Sequence, residues 1–337
     1  MKAIGFTMPG AIDRGDALID FEAPAPRPGP RDLVVRVKAI SVNPADTKVR
    51  ANAQPPAGEY RILGYDAAGI VEAVGSEVSL FRPGDEVFYA GDLTRPGTYA
   101  ERHAVDERIV GHKPKSLTWA QAAAVPLTAI TAWELLFDRL RVPYGRKSGA
   151  GTLLIINGAG GVGSILIQIA RRLTGLTIVA TASRPETIAW VEEMGAHHVI
   201  DHRKPLDEEL ARIGIAEVEY VASLTGTEQQ VEVLPKIIAP QGYLAMIDDP
   251  AHFDIVGFKR KSITVAWEFM FTRPMFATDD RIEQHKLLEE VSRLLDEGLL
   301  RTTLTETVSP INAANLRAVH KVVESGRAIG KIVLEGF

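Results

Sequence analysis

The 337-residue chain contains no cysteine. This absence excludes disulfides, thiolate nucleophiles and thiolate metal ligands, and it suits a reducing compartment. The first residues, Met1 to Phe6, lack the long apolar region of a signal peptide. Uninterrupted apolar runs also fall short of the roughly 20 residues that span a bilayer. We therefore expect a cytoplasmic protein without a membrane segment.

Strong charge is missing as well. The formal net charge is only −5, and no long block of like charge occurs. A nucleic-acid-binding surface needs clustered Lys and Arg, so we expect no nucleic-acid partner. The apolar share of 46% and the charged share of 24% are those of ordinary globular proteins, and the length favours about two domains.

The first third of the chain is rich in predicted strands. Partly alternating apolar residues predict strands over 33–40 and 67–75, and a Pro-Gly turn at 83–84 precedes a further strand over 86–89.

The pattern changes after Thr118. A helical stretch covers 120–140, and continuous apolar strands then alternate with helices. The strands are predicted over 152–156, 176–182, 198–200, 218–222 and 242–246, and the helices over 164–173 and 185–194. This alternation is typical of a parallel sheet that is covered on both faces.

Beyond about residue 262 the pattern changes back, with helices predicted over 284–297 and 311–325 and a strand over 330–334. We interpret this segment as a return to the first domain. The prediction is an α/β protein with a β-rich domain formed by 1–120 and 265–337 and a doubly wound domain formed by 121–264.

The strongest local motif is the glycine-rich turn Asn157-Gly158-Ala159-Gly160-Gly161-Val162-Gly163, which follows a buried strand and opens a helix. Glycines in this setting let backbone N–H groups approach a pyrophosphate, and the helix N-terminus adds a favourable dipole. The alternative is a merely flexible loop. The strand–turn–helix context favours a Rossmann dinucleotide site.

The end of the second strand of such a unit selects the cofactor. NAD enzymes tend to carry an acidic residue there for the ribose hydroxyl. This chain has Ser183 and Arg184 instead, and a guanidinium suits a 2′-phosphate. The residues therefore favour NADPH, although Arg184 could also be an ordinary surface residue before Pro185.

Several motifs together resemble the medium-chain dehydrogenase/reductase superfamily. The segments 41–48 (SVNPADTK) and 63–69 (LGYDAAG) are similar to its quinone oxidoreductase branch. The segments 81–97, 124–128 and 131–136 are similar to the subgroup called zinc-type alcohol dehydrogenase-like proteins. The resemblance covers essentially the whole chain. It implies a β-rich GroES-like catalytic domain beside the Rossmann domain, and a homodimer or homotetramer.

The resemblance also provides a test for zinc. Zinc-dependent members carry Cys where Asn43 stands and Gly-His-Glu where this chain has Gly64-Tyr65-Asp66. A catalytic zinc site needs three suitable protein ligands. Asp46 and Asp66 remain as candidate ligands, but two carboxylates alone are unusual for zinc. We therefore predict no metal.

Without a Lewis acid, alcohol oxidation is harder to explain than reduction of an electrophilic carbon. The sequence thus predicts transfer of a hydride from NADPH to a quinone or an α,β-unsaturated carbonyl, both small molecules. Two alternatives stay open: a zinc-dependent alcohol dehydrogenase, and an NADPH-binding protein with a structural or regulatory role and little turnover.

The resemblance implies site residues as well. Asn43 and Tyr65 are catalytic candidates whose amide and phenol could hold a substrate oxygen, and Tyr60 is a weaker candidate in a neighbouring loop. A turn residue and a packed core residue are the plainer interpretations of Asn43 and Tyr65. The full set of candidate cofactor-binding residues comprises Asn43, Thr128, Asn157, Gly158, Ala159, Gly160, Gly161, Val162, Gly163, Ser183, Arg184, His202, Leu224, Thr225, Met246, Ile247 and Lys331.

Overall fold

The computed structural model describes residues 1–145 and 149–337. Its contacts divide the chain into two compact units. The first, here the β-rich unit, consists of Met1–Ile130 and Phe271–Phe337, and the second, the parallel-sheet unit, is Thr131–Met270. The C-terminal segment thus folds with the N-terminal part. The predicted boundaries at 120 and 264 lie a little before the observed ones.

Strands and helices are numbered in chain order over the described residues. The strands are β1 (Lys2–Phe6), β2 (Ile19–Glu22), β3 (Asp32–Ser41), β4 (Arg61–Ile62), β5 (Ala67–Val74), β6 (Glu86–Tyr89), β7 (Arg102–Asp106), β8 (Val110–His112), β9 (Thr152–Ile156), β10 (Thr177–Thr181), β11 (His198–Ile200), β12 (Val218–Ser223), β13 (Ile238–Met246), β14 (Thr264–Trp267), β15 (Leu304–Val308) and β16 (Lys331–Glu335). The α-helices are α1 (Pro44–Asn52), α2 (Trp119–Ala123), α3 (Pro126–Trp133), α4 (Gly161–Leu173), α5 (Pro185–Met194), α6 (Leu206–Arg212), α7 (Thr227–Gln230), α8 (Leu234–Ile237), α9 (Thr272–Met275), α10 (Ile282–Asp296) and α11 (Ala313–Glu324).

The β-rich unit is built on a seven-stranded sheet in the order β15-β16-β3-β5-β6-β8, with β7 pairing with β3. Strand β3 is central because β5, β7 and β16 all pair with it antiparallel. A smaller sheet has the order β2-β1-β4. One apolar core joins residues from both ends of the chain, including Ile4, Leu33 and Leu334.

The parallel-sheet unit contains six parallel strands in the order β11-β10-β9-β12-β13-β14. The strand order reverses between β9 and β12, which is the topological switch point of a doubly wound sheet. Its strands are apolar on both faces, because consecutive strand residues point to opposite faces and both Leu154 and Ile155 are fully buried. The predicted Rossmann fold is confirmed.

The single helix predicted over 120–140 is instead a series of three helical segments that follow one another. It comprises α2, α3 and a π-helical segment, Glu134–Arg139. The run Trp119–Arg139 is long and apolar enough to cross a membrane, but 83% of its most apolar window is buried within the protein. That burial is typical of a core helix.

Candidate active site

Five buried polar residues form a cluster in the β-rich unit, here called the Asp66 cluster. Ser41 ends β3, Asn43 and Asp46 lie at the start of α1, Asp66 immediately precedes β5, and Lys331 opens β16. Each side chain is at most 4% exposed. Central strands of one sheet therefore bring together residues from both ends of the chain.

Asp66 is the acceptor at the centre of this cluster. Its Oδ2 accepts hydrogen bonds from the Ser41 hydroxyl and the Asn43 amide, both at 2.7 Å, and its Oδ1 accepts one from the Leu127 backbone N–H at 2.8 Å. The Lys331 ammonium lies 3.3 Å from Oδ2. Burial raises the pKa of Asp66, and Lys331 and these donors oppose the rise.

Lys331 directs its ammonium into the cluster. It donates to the Val42 carbonyl at 2.9 Å, to Asn43 Oδ1 and to Asp66. An ammonium has three donors, so these partners engage all of them. Lys331 was a candidate cofactor-binding residue, and in the structure its ammonium is engaged inside the protein. Burial lowers the pKa of Lys331, whereas the carboxylates of Asp66 and Asp46 oppose that change.

Asp46 is held by backbone donors. Its carboxylate accepts from the N–H of Asn43 at 2.7 Å and from the N–H of Gly64 at 3.1 Å. Burial raises the pKa of Asp46 to about 7. Asp46 and Asp66 were the remaining candidates for a metal site. Over residues 1–145 and 149–337, no three His, Cys, Asp or Glu side chains gather as a ligand set.

The two candidate tyrosines have different surroundings. Tyr65 is fully buried and packs edge-on against Phe271, with 5.2 Å between the ring centroids. Its hydroxyl has no partner with hydrogen-bonding geometry among the described residues, although the Arg61 guanidinium is near enough to favour its ionised form. Burial raises the pKa of Tyr65 to about 12, so the phenol remains a donor at neutral pH. Tyr60 is 44% exposed and stacks on Phe21 at 4.1 Å. The structure therefore does not bring Tyr60 into the Asp66 cluster.

Thr128 lies in α3 with its hydroxyl bonded to the Val125 carbonyl at 3.0 Å. This bond is an ordinary arrangement for a threonine inside a helix.

The glycine-rich turn of the parallel-sheet unit joins β9 to α4. Asn157, not a glycine, takes the left-handed conformation, with φ of 67°. Its N–H donates to the Thr181 hydroxyl at 2.9 Å, and Gly158 N–H donates to the Thr181 carbonyl at 3.1 Å. These bonds fix the turn against the neighbouring strand β10.

Close packing explains two of the glycines. A Cβ at Gly163 would lie 2.5 Å from the Gly158 carbonyl oxygen, and a Cβ at Gly158 would lie 2.9 Å from the Ala180 Cβ. Gly160 is different, since a Cβ at this position would have its nearest neighbouring atom 3.5 Å away. Gly158 and Gly163 therefore hold α4 close to the sheet, whereas a Cβ at Gly160 would make only an ordinary van der Waals contact.

The start of α4 presents backbone donors. Ser164 makes the first bond of the helix, from its N–H to the Gly160 carbonyl at 2.9 Å. The N–H groups of Gly161, Val162 and Gly163 precede it in the first turn, where a helix has no internal acceptors. Such a turn suits a phosphate group. These residues, with Ala159 in the same turn, fit a dinucleotide pyrophosphate.

The remaining cofactor candidates lie at the carboxyl ends of the parallel strands, where doubly wound sheets bind ligands. Ser183 and Arg184 follow β10, and the Arg184 Nε lies 3.3 Å from Glu186. His202 follows β11 and bonds through Nδ1 to the Thr181 hydroxyl at 3.1 Å. Burial lowers the pKa of His202.

The carboxyl ends of β12 and β13 are joined by a backbone hydrogen bond. Leu224 and Thr225 follow β12, Met246 ends β13, and Ile247 follows it. The Ile247 N–H donates to the Ser223 carbonyl at 3.2 Å, while Thr225 is exposed. The structure thus brings the turn, Arg184, His202 and these residues to one edge of one sheet.

Comparison with known proteins identifies the family. Residues 29–129 match the alcohol dehydrogenase GroES-like domain, and residues 194–334 match the zinc-binding dehydrogenase family. A zinc-type alcohol dehydrogenase-like protein of Staphylococcus epidermidis is 38% identical over 336 residues, 99% of each chain. The chain belongs to the medium-chain dehydrogenase/reductase superfamily. Both the superfamily and the subgroup inferred from sequence are thereby confirmed.

Other members of the superfamily widen the comparison. A quinone oxidoreductase of Pseudomonas aeruginosa is 31% identical, with 91% of this chain and 92% of that protein covered. A crystal structure from Rhizobium etli CFN 42, assigned to the zinc-dependent alcohol dehydrogenases, has 58% identity and a TM-score of 0.96, covering 100% of this chain and 98% of that one. A mycobacterial protein complexed with NADPH has 25% identity and a TM-score of 0.83, covering 99% and 100%.

Membership in this superfamily makes the chain an oxidoreductase that uses a nicotinamide cofactor and a small-molecule substrate. Sequence reasoning missed two features of the structure. The first is the contact of Lys331 with Asp66. The second is a buried carboxyl pair, Glu134 and Glu268, in the parallel-sheet unit. The signals that could have found this pair were a Glu inside an apolar helical stretch and a Glu inside the aromatic stretch 267–271.

Proposed function

We propose that the protein is an NADPH-dependent oxidoreductase that reduces a quinone or an α,β-unsaturated carbonyl without a metal ion. The glycine-rich turn and the donors at the start of α4 would hold the pyrophosphate, and Arg184 would hold the 2′-phosphate. A bound reduced nicotinamide supplies a hydride. The chain's own residues bind, orient and polarise the substrate.

The preference for NADPH rests on charge at the end of β10. Positions 183 and 184 carry Ser and Arg. Neither side chain is a carboxylate that could accept a hydrogen bond from the ribose 2′-hydroxyl of NADH. The Arg184 side chain is 30% exposed and its Nε forms an ion pair with Glu186 at 3.3 Å. A 2′-phosphate would offer this guanidinium a further charge-assisted partner.

The observation that carries the proposal is that the Lys331 ammonium donates hydrogen bonds to Asp66 and Asn43. Zinc-dependent members of the family carry Glu at the position of Asp66 and Cys at the position of Asn43. A lysine bonded to both supplies a fixed positive charge there, and neither Asn43 nor Tyr65 is a good zinc ligand. This composition favours chemistry that needs no Lewis acid.

Reduction of a quinone or enone requires a donor for the oxygen on which charge develops. Tyr65 supports this role in the β-rich unit because its phenol stays protonated and its hydroxyl has no partner among the described residues. A buried hydroxyl without a partner is costly, so its retention favours a ligand that satisfies it. The quinone oxidoreductase of P. aeruginosa supports the substrate class.

The proposal is tested with purified protein in three measurements. Titration calorimetry should show NADPH binding much more tightly than NADH. Elemental analysis should show less than stoichiometric zinc, and NADPH oxidation should accelerate with quinones or enals from a panel. Stoichiometric zinc with alcohol oxidation would instead establish the alcohol dehydrogenase alternative. Binding without turnover would favour a structural or regulatory role.

We also propose that the protein forms a homodimer or homotetramer. Strand β14 is the last strand of its sheet; Trp267, which ends it, is 52% exposed, and Phe269, just beyond it, is 47% exposed. Exposed aromatic residues beside a sheet edge suit association with a second copy. Sedimentation should give an oligomer, and Trp267→Arg should shift it toward the monomer.

A further inference from the structure

A cavity of about 190 Å³, here called the Arg281 cavity, lies in the β-rich unit and shares no residue with the Asp66 cluster. One wall comes from β7 and the residues just after it, and another comes from α9 and the residues that follow that helix. A cavity of roughly 150 Å³ can hold benzene, so this one has room for a small molecule of about eight non-hydrogen atoms. The residues that line it include Asp92, Arg95, His103, Asp106, Ile109 and Arg281.

Part of the cavity wall carries no charge. Val105 and Ile109 line it and are 2% and 1% exposed. The His103 nitrogens have partners at the Tyr89 hydroxyl and the Pro96 carbonyl, at 3.1 and 2.9 Å. Burial lowers the pKa of His103 to about 4, so this ring is neutral at pH 7. Ligand sites combine such walls with a small number of polar groups.

Two charged residues of the wall have bidentate partners of opposite sign. Arg95 donates through its two terminal nitrogens to the Asp32 carboxylate, at 2.9 and 2.8 Å. The Asp106 carboxylate accepts from Arg108 Nε at 2.8 Å and from Arg108 Nη2 at 2.6 Å. Each of these pairs is neutral. The other two charged residues of the wall, Arg281 and Asp92, have no bidentate partner of this kind.

The Arg281 guanidinium is fixed by backbone acceptors and retains one donor group. Its Nε donates to the Thr278 carbonyl at 3.2 Å, and its Nη2 donates to the Ala277 carbonyl at 2.6 Å. Its Nη1 lies 3.6 Å from Asp106 Oδ2, which is too far for a hydrogen bond. The side chain is 19% exposed. Arg281 therefore brings a positive charge to the cavity, and Nη1 can donate to a ligand.

Asp92 brings a negative charge to the same cavity. Its Oδ1 accepts from the Thr94 N–H at 2.8 Å and from the Thr94 hydroxyl at 2.7 Å. Its Oδ2 accepts from no donor in the part of the chain that the structure describes, and no described cation lies within ion-pair distance. Asp92 and Arg281 thus line one small cavity with opposite charges and do not pair with each other.

We propose that the Arg281 cavity binds a free α-amino acid with a small apolar side chain. The carboxylate of the ligand would accept from Arg281 Nη1, and its ammonium would donate to Asp92 Oδ2. A zwitterion balances both charges at once, whereas an anion or a cation balances only one of them. The apolar side chain would lie against Ile109. This site shares no residue with the Asp66 cluster or with the cofactor candidates.

The first experiment titrates the full chain with three probes of one carbon skeleton, followed by NMR. L-Valine carries both charged groups, 3-methylbutanoate lacks the ammonium, and isobutylamine lacks the carboxylate. L-Valine should bind with a Kd on the order of 1 mM or lower. Each analogue should bind about tenfold more weakly or worse, because it loses a charge-assisted hydrogen bond. Undetectable binding of L-valine, or an analogue that binds equally well, would overturn the proposal.

The second experiment assigns each charged group of the ligand to its residue. Arg281→Gln should weaken L-valine binding by roughly 10–100-fold and abolish the difference between L-valine and isobutylamine. Asp92→Asn should abolish the difference between L-valine and 3-methylbutanoate. The matched control is Arg293→Gln in α10, whose arginine is 49% exposed and pairs with Glu290 and Glu297. A folded variant that keeps the full difference would contradict the contact assigned to its residue.

These measurements require neither NADPH nor turnover, so their outcome is distinct from that of the proposed function. A chain that binds L-valine as expected and oxidises no NADPH would retain this site and lose the proposed function. A chain that reduces quinones and does not bind L-valine would do the reverse. Thermal unfolding identifies variants that misfold, and the comparison of the three probes on the wild-type chain depends on no variant.

Discussion

Polar groups in the β-rich unit and in the parallel-sheet unit differ in how many partners they have inside the protein. In the β-rich unit, the Asp66 cluster engages its carboxylates, its amide and its ammonium with partners inside the protein. In the parallel-sheet unit, the first turn of α4 presents N–H groups outward, Arg184 is part-exposed, and Glu268 Oε1 lacks a donor among the described residues.

This difference distinguishes a scaffold from a binding edge. Groups that are satisfied inside the protein fix geometry, and removing one should cost folding free energy. Groups at the edge of the sheet that binds ligands are expected to contact the cofactor, and removing one should cost affinity or turnover. The variants below test that distinction, beginning with the largest expected effect.

Lys331→Met should lower the free energy of unfolding by about 3–5 kcal/mol, because it leaves Asp66 buried without its cation. Chemical denaturation measures this loss. The double variant Lys331→Met with Asp66→Asn should recover part of it, since the unpaired charge is then gone. A loss below about 1 kcal/mol in the single variant would show that the cluster is not a scaffold.

Arg184→Ala should weaken NADPH binding by roughly 10–100-fold, because charge-assisted hydrogen bonds contribute about 1.5–3 kcal/mol. The affinity for NADH should stay within about twofold, and so should the stability. Calorimetric titration with both cofactors checks the contrast. An equal change for NADPH and NADH would remove the argument for a 2′-phosphate site.

Gly163→Ala should also weaken NADPH binding, by about tenfold. The new Cβ would lie 2.5 Å from the Gly158 carbonyl oxygen, so the turn must shift, at a cost of roughly 1–3 kcal/mol. Gly160→Ala is the matched control, because its Cβ would meet nothing nearer than 3.5 Å. Similar losses in the two variants would mean that close packing does not shape the turn.

The Tyr65 hydroxyl is an exception in the β-rich unit, because it has no hydrogen-bond partner among the described residues, unlike the Asp66 cluster. The variant Tyr65→Phe tests this exception. Removal of such a buried hydroxyl should leave the stability unchanged or raise it by up to about 1 kcal/mol. If the phenol serves the substrate, turnover should fall while stability does not. Tyr60→Phe, at an exposed stacked position, provides the comparison. A stability loss above about 1 kcal/mol in Tyr65→Phe would contradict a free phenol.

Local patterns predicted the parallel-sheet unit well. The predicted strands over 152–156 and 198–200 and the predicted helix over 185–194 coincide with β9, β11 and α5. Each is a short apolar or amphipathic run bounded by clear turn signals, and its partners are close in sequence. The glycine-rich turn was likewise recognisable because strand, turn and helix are contiguous.

The Asp66 cluster could not be derived in the same way. Lys331 and Asp66 are 265 residues apart, and their contact depends on the pairing of β16 with β3. A lysine after a glycine has no local signal for burial, so the position of Lys331 inside the cluster could not be expected from the residues around it. The Glu134–Glu268 pair escaped prediction for the same reason, since each residue alone resembles an ordinary polar interruption.

The position of β16 between β15 and β3 has a consequence for biosynthesis. The central sheet of the β-rich unit stays incomplete until residues 331–335 emerge from the ribosome, after the whole parallel-sheet unit has been made. During that interval, the edge of β3 that β16 will cover is unpaired, and the carboxylate of Asp66 lacks the Lys331 ammonium. Nascent chains are therefore most vulnerable to aggregation and proteolysis in their earliest-made part.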